Sequence, residues 1–214
     1  MKKILSILIV TLMLVSLFSC NTATGNGNTT SPNGTEGSDP AVTLNAFDAW
    51  VKSIEGKELN NMSVNLALKA DFAEDPEETY IFVHKFTSTA LLSITGNEES
   101  LSEDPTVVAG IVNFFGGTLR AIASCKDFTA DGDKFKREED IKYAVTVMEF
   151  DADITLSGVE VTFDTDSASV TVSANMKQES TALAQPLVMD VVMTFSDFGT
   201  TVIDAGSSSN STAK

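Results

Sequence analysis

The chain has 214 residues, with 14 lysines and arginines against 30 aspartates and glutamates, a formal net charge of −16, one histidine and two cysteines. So acidic a surface is repelled by nucleic-acid phosphates and by anionic lipid headgroups, which argues against nucleic acid as a partner and against electrostatic docking on a membrane. One histidine and two cysteines also exclude a paired-histidine zinc motif and a dense disulfide framework.

Lys2 and Lys3 precede an almost unbroken apolar run from Ile4 to Phe18, after which small and polar residues begin at once. This is the charged, apolar and cleavage layout of an export signal. At about fifteen residues the run is shorter than the roughly twenty needed to span a bilayer as a helix, so a permanent transmembrane anchor is the weaker reading. It closes on Leu17, Phe18, Ser19 and Cys20. That ending resembles the lipobox of bacterial lipoproteins, in which a leucine and two mostly small residues direct lipid attachment to a following cysteine and cleavage just before it. Phe18 departs from the strict enterobacterial form and is similar to the relaxed version found in spirochaetes and some other phyla.

The resemblance implies a mature chain that begins at a lipidated Cys20 and is held to a membrane by several acyl chains, an attachment that is effectively permanent. Asn21, rather than aspartate, follows the cysteine, which under the enterobacterial rule implies the outer membrane of the cell envelope. Loss of Lys2 and Lys3 with residues 1–19 leaves 12 cationic side chains against 30 acidic ones, a net charge of −18. Cys125 is then alone, so no intramolecular disulfide forms, and it reads as a small buried apolar residue.

Residues 21–40 are glycine, serine, threonine, asparagine and proline with almost nothing to bury, and read as a disordered tether. Residues 41–205 form a single domain, and residues 206–214 an unstructured tail. A helix is expected from Val42 to Glu55, where Leu44, Phe47, Val51 and Ile54 recur at helical spacing, Trp50 flanks the stripe and Gly56 stops it. From Met62 to Phe72 the period changes to two, with Met62, Val64, Leu66, Leu68, Ala70 and Phe72 on one face of a strand. Asp75 to Glu78 has the composition of a helix start, whereas Thr79 to Thr87 is rich in β-branched and aromatic residues; a second strand of a hairpin is the preferred reading. Asp104 as cap and Pro105 in the first turn open a helix running to about Ser124, apolar on nearly all sides and therefore buried.

The chain alternates almost continuously from Tyr143 to Phe198. A two-residue turn at Ser157-Gly158 would set Leu156 opposite Val159, Ile154 opposite Val161 and Ala152 opposite Phe163. A turn at Asp166-Ser167 would set Phe163 opposite Val170 and Val161 opposite Val172. Leu187 to Phe195 offers a fourth strand, and a β-bulge is expected at Val147-Met148, where the phase of the alternation switches. The fold class that results is α+β: an antiparallel β-meander with one apolar face packed against two or three helices.

The same register places Asp151 opposite Asp164, with Glu149, Asp153 and Glu160 on that face and Asp166 at the adjoining turn. Such a cluster is either a solvated acidic face or a weak Ca²⁺ site, because hard cations require clustered carboxylate oxygens. Asp127, Asp131, Asp133 and Glu138 partly match a calcium loop, but Thr129 and Lys134 break its pattern, and Asp131-Gly132 is equally a hairpin turn. No other cofactor is implied. His84 sits among aromatic residues and reads as a structural side chain; with no nucleophile elbow, phosphate loop or paired cysteines, no catalytic residue is expected and the chain is read as non-enzymatic.

The favoured function is a lipid-anchored envelope protein with a binding or surface-structural domain, its partners a membrane through the lipid and a protein. The alternative is a carrier or sensor of a hydrophobic ligand held between sheet and helix. That layout resembles, without any shared motif, the half-barrel lipoproteins that ferry lipids across the periplasm.

Overall fold

The computed structural model describes residues 46–55, 59–70, 77–131, 133–147, 150–164, 167–181 and 183–203. The export signal, Cys20 and the tether lie outside them. In chain order the elements are α1 (Ala46–Ile54), β1 (Met62–Ala70), β2 (Tyr80–Phe86), β3 (Leu91–Thr95), β4 (Glu98–Ser102), α2 (Pro105–Ser124), β5 (Thr129–Asp131), β6 (Lys134–Arg137), β7 (Ile141–Val147), β8 (Phe150–Asp164), β9 (Ser169–Ser180) and β10 (Leu187–Ser196).

The expected first helix is present as α1, with Trp50 and Ile54 buried; Trp50, read as a flanking residue, packs on Phe163 with ring centroids 5.4 Å apart. In β1 the alternation works as expected, and Met62, Val64, Leu66, Leu68 and Ala70 are all buried. Ser63, on the opposite face of β1, is covered by Thr201 of the segment after β10, their hydroxyls 3.4 Å apart. Residues 80–86 are the second strand of the hairpin, paired from Met62 with Phe86 to Leu68 with Tyr80. A further hairpin, β3–β4, follows around Gly96, whose φ of +61° suits a tight turn.

All strands pair antiparallel in one ten-stranded sheet ordered β4-β3-β2-β1-β10-β9-β8-β6-β5, with β7 also on β8. The α+β class holds, but the sheet is much larger than a four-stranded meander because β10 pairs with β1 and joins the two halves of the chain.

Two features of the expected meander exchange places. Ser157-Gly158 is not a hairpin turn: β8 runs straight through it for 15 residues, and the register on β9 slips between Ser157 and Glu160. Gly158, at φ +59°, takes the left-handed conformation that a bulge requires. The bulge expected at Val147-Met148 is instead a strand reversal, with Val147 paired to Phe150. Either device flips the phase of an alternating pattern, which is why the pattern allowed both assignments. Leu156 consequently pairs with Met176 and Ile141 rather than with Val159. The β8–β9 register holds as expected, with Phe163 opposite Val170 and Val161 opposite Val172.

The bulge lets β8 carry two partners on one edge, β7 along its first half and β6 along its second. The apolar side chains of every long strand still reach the same face, where they form one continuous core.

Helix α2 begins as expected: Asp104 caps it by accepting from the Thr106 amide at 2.8 Å, and Pro105 occupies the first turn. It is long and apolar enough to cross a membrane, but it buries Val108, Ile111, Phe115, Leu119 and Ile122 against the sheet. The expectation of burial on nearly all sides is not met, since Ala109, Asn113 and Arg120 are exposed.

The Phe115 ring lies 5.6 Å from His84 on β2, while a Cβ on Gly117 would stand 3.8 Å from Val145 on β7. In a flat sheet β2 and β7 would be five strand spacings apart, about 24 Å, and a helix with its side chains is about 10–12 Å across. A ring contact with β2 on one side and a close approach to β7 on the other is the arrangement that a sheet curled around the helix provides.

The glycines of α2 test this packing. A Cβ on Gly116 would meet the Leu59 carbonyl oxygen at 3.1 Å and the Leu59 Cβ at 3.3 Å, whereas Gly117 has ordinary room. Alanine gains about 1 kcal/mol over glycine in a helix interior. In urea unfolding, Gly117→Ala is expected to stabilise the protein by up to that amount. Gly116→Ala should forfeit the gain and fall below wild type, and equal stabilisation by both would contradict the close approach of Leu59.

Candidate functional site

The curled sheet has an inner wall and an outer wall, and the polar side chains of the inner wall are few. His84 points inward from β2, where it stacks 6.3 Å from Phe82 and accepts or donates one hydrogen bond, Nδ1 to the Ser93 hydroxyl at 3.0 Å. Ser93 is its cross-strand neighbour on β3. Burial disfavours the charged ring and pushes the His84 pKa down to about 4. The imidazole is thus neutral at physiological pH and serves as a polar member of an aromatic cluster with Phe82 and Phe115.

Tyr143 reaches from β7 to α2, where its hydroxyl lies 2.6 Å from that of Thr118. Thr118 in turn donates to the Phe114 carbonyl at 2.8 Å, so Tyr143 is the donor to Thr118. Desolvation raises the phenol to about 12, and it stays protonated. Arg137 is the third inward group, placed by the same alternation that buries Phe135 two residues earlier. Its side chain is only 10% exposed and is ion-paired with Asp127, and with Glu139 at 3.3 Å. Sequence reasoning missed Arg137 and Tyr143 as inner-wall residues, although the period-two spacing from Phe135 and from Val145 was the available signal.

The acidic residues do not assemble as the meander register implied. With Gly158 a bulge, Asp151 and Asp164 stand near opposite ends of β8, about 40 Å apart along the strand. Asp151 accepts from the Thr146 hydroxyl at 2.7 Å, and Asp164 accepts from the Ser167 hydroxyl at 2.7 Å, where it caps the turn into β9. The carboxylate that faces Asp153 is Glu179, itself 3.0 Å from Lys177. Asp166 lies outside the described residues.

The calcium-loop candidate folds as the β5–β6 hairpin, its other available reading. Asp127 faces Arg137, while Asp131 lies 2.8 Å from Lys136 and is held below the usual carboxylate range by that hydrogen bond. Glu160 likewise is lowered by its hydrogen bonds from Lys134 and Lys136. Asp133 and Glu138 are exposed. Among the described residues no three acidic, histidine or cysteine side chains converge on a point suited to a metal ion.

Cys125 is half-buried rather than fully so; it caps α2, with its thiol 3.3 Å from the Ala121 carbonyl and its amide donating to Ile122.

The outer wall divides into two halves. On β9, β8 and β6 it is polar, with Thr171 3.0 Å from Thr194 of β10 and lysines set against Glu160. On β4 to β1 it is mixed: Leu101 pairs with Leu92, Ile94 lies between Val83 and Glu99, Lys85 stands beside Leu92, and Ala67 stands between Ile81 and Val192. Ile81, Leu101 and Val192 are 57%, 44% and 42% exposed. No protein-family model matches the chain, and no curated protein matches it.

The His84 environment makes stability pH-dependent with a definite sign. The unfolded chain takes up a proton near pH 6.5, and the folded chain does so only near 4. The stabilisation is therefore complete above about pH 6.5 and is lost as pH falls toward 4, at about 1.4 kcal/mol per unit and roughly 3 kcal/mol in all. Urea unfolding across this window should show a flatter profile for His84→Leu than for wild type, and parallel profiles would contradict a neutral buried imidazole.

Proposed function

We propose that the chain is a lipid-anchored protein of the cell envelope, attached through Cys20 and carrying a non-catalytic binding domain. The observation that carries the proposal is the lipobox-like ending at Leu17, Phe18, Ser19 and Cys20, followed at once by 20 residues with almost nothing to bury. Twenty such residues span about 25 Å on average and about 70 Å at full stretch. An acidic domain, repelled by anionic headgroups, is thereby held near the membrane without lying on it. The chemistry of the domain agrees with a binding role. Three of its inward polar side chains have protein partners, His84 with Ser93, Tyr143 with Thr118 and Arg137 with Asp127, and these three do not converge on one another.

A second reading follows from the curl of the sheet. An apolar wall wrapped around one long helix is an arrangement in which a hydrophobic ligand can replace part of the helix packing. Met62, Met176, Met189 and Met193 on that wall supply adaptable side chains.

Cys20→Ala should move the protein from the membrane fraction to the soluble fraction and abolish its partition into detergent; unchanged partition would refute lipidation. Native mass spectrometry of the untagged protein from its own host addresses the second reading. Lipid bound non-covalently, lost on collisional activation, is expected if the domain is a carrier, and the mass of the acylated chain alone would remove that reading.

A further inference from the structure

Gln178 is an inward polar side chain outside the three partnered pairs. The alternation that buries Val172, Ala174 and Met176 on β9 carries it to the inner wall two residues later, with Ile154 of β8 and Leu187 of β10 on either side. The residue is half-buried, yet its amide oxygen is closed to solvent and has no hydrogen-bond partner among the described residues. Buried polar atoms in folded proteins are nearly always satisfied, and one left alone is costly. A single trapped water is a poor partner here, because a buried water needs two or more polar neighbours. Ile154, Leu187 and Met176 are apolar. The Tyr143 hydroxyl, beyond Ile154 in the same row, is taken up by Thr118, and Ser180, the next inward residue of β9, donates to the Asp151 carbonyl at 2.9 Å.

We propose that Gln178 receives the hydroxyl of a long-chain, uncharged amphiphile, a fatty alcohol or a monoacylglycerol. The chain of that ligand lies along Met176 and Met189, which stand opposite each other on the same wall and adapt to it. The proposal rests on the carrier reading of the domain and names its ligand class. A hydroxyl both donates and accepts, so it satisfies the amide whichever of its two ends faces inward. Charge argues against ionised headgroups. Either sign would be set beside Ile154, Leu187 and Met176 with no counter-charge among them, and Arg137, the inward cation, is ion-paired with Asp127 and Glu139.

The test uses the full chain in non-ionic detergent micelles, with hexadecanol or hexadecane added at equal micellar mole fraction and unfolding followed by circular dichroism. Hexadecanol is expected to raise Tm by several degrees more than hexadecane does, the difference being the hydroxyl. Gln178→Met keeps the length of the side chain and removes its polar end. It should erase that difference. Without either additive it should itself melt about 2 °C or more above wild type, because a buried atom without a partner has been removed. A glutamine with only a structural role would instead lower Tm on this exchange. Equal shifts from the two additives, or a Tm for Gln178→Met below wild type, would overturn the assignment of Gln178 and leave the carrier reading standing. No shift from either additive would overturn both.

Discussion

A broad antiparallel sheet with one apolar face and a single long helix to cover it is the constraint on which this structure depends. Ten strands laid flat would expose far more apolar surface than α2 can shield, and the cost of that exposure scales with area. Curling the sheet around the helix solves the mismatch, because one helix then faces several strands at once. The close passage of Gly116 beside Leu59 shows where the helix and the chain leading into β1 approach too closely for a side chain. At the β6–β8 end, Trp50 of α1 extends the cover over Phe163, which also meets Phe135 at 5.6 Å.

The same curl separates two chemical environments. Inward polar groups lose water and must find protein partners, and the shifted values of His84 and Tyr143 follow from that loss. Outward carboxylates keep their water, and their exposed pairings with lysine add little to stability. The large acidic excess is therefore a property of the outer wall and loops, where it governs what approaches the molecule rather than how the molecule folds.

Much of the fold could be read from residue order, and the parts that could not share a physical reason. Alternation in β1, β9 and β10 and the Asp104-Pro105 helix start are local signals, and each appears where expected. The pairing of β1 with β10 is non-local and leaves no local trace. A phase flip does not distinguish a reversal from a bulge, so Val147-Met148 and Ser157-Gly158 were interchanged. That one ambiguity also created the apparent pairing of Asp151 with Asp164. The β3–β4 hairpin was missed because Glu98 to Ser102 faces solvent on both sides and carries no amphipathic pattern. The proposed Cys20 signal can be read from residue order because such a signal is a linear address; the inner-wall placement of Arg137 depends on a register that only the folded sheet defines.

The seam between β1 and β10 also bears on how the protein reaches this state. It pairs Ser63 through Ala70 with Ser196 through Met189, so the middle of the sheet closes only once β10, the last of the described strands in chain order, has been made. Until β10 arrives, β1 and β9 are two bare edges, each with an apolar face and each capable of pairing with the wrong chain. Contacts of such sequence separation slow folding, because loop closure must precede the burial that rewards it. The interval between synthesis of β1 and arrival of β10 is accordingly the time in which this protein is most exposed to aggregation, and the time in which a chaperone would have most to hold.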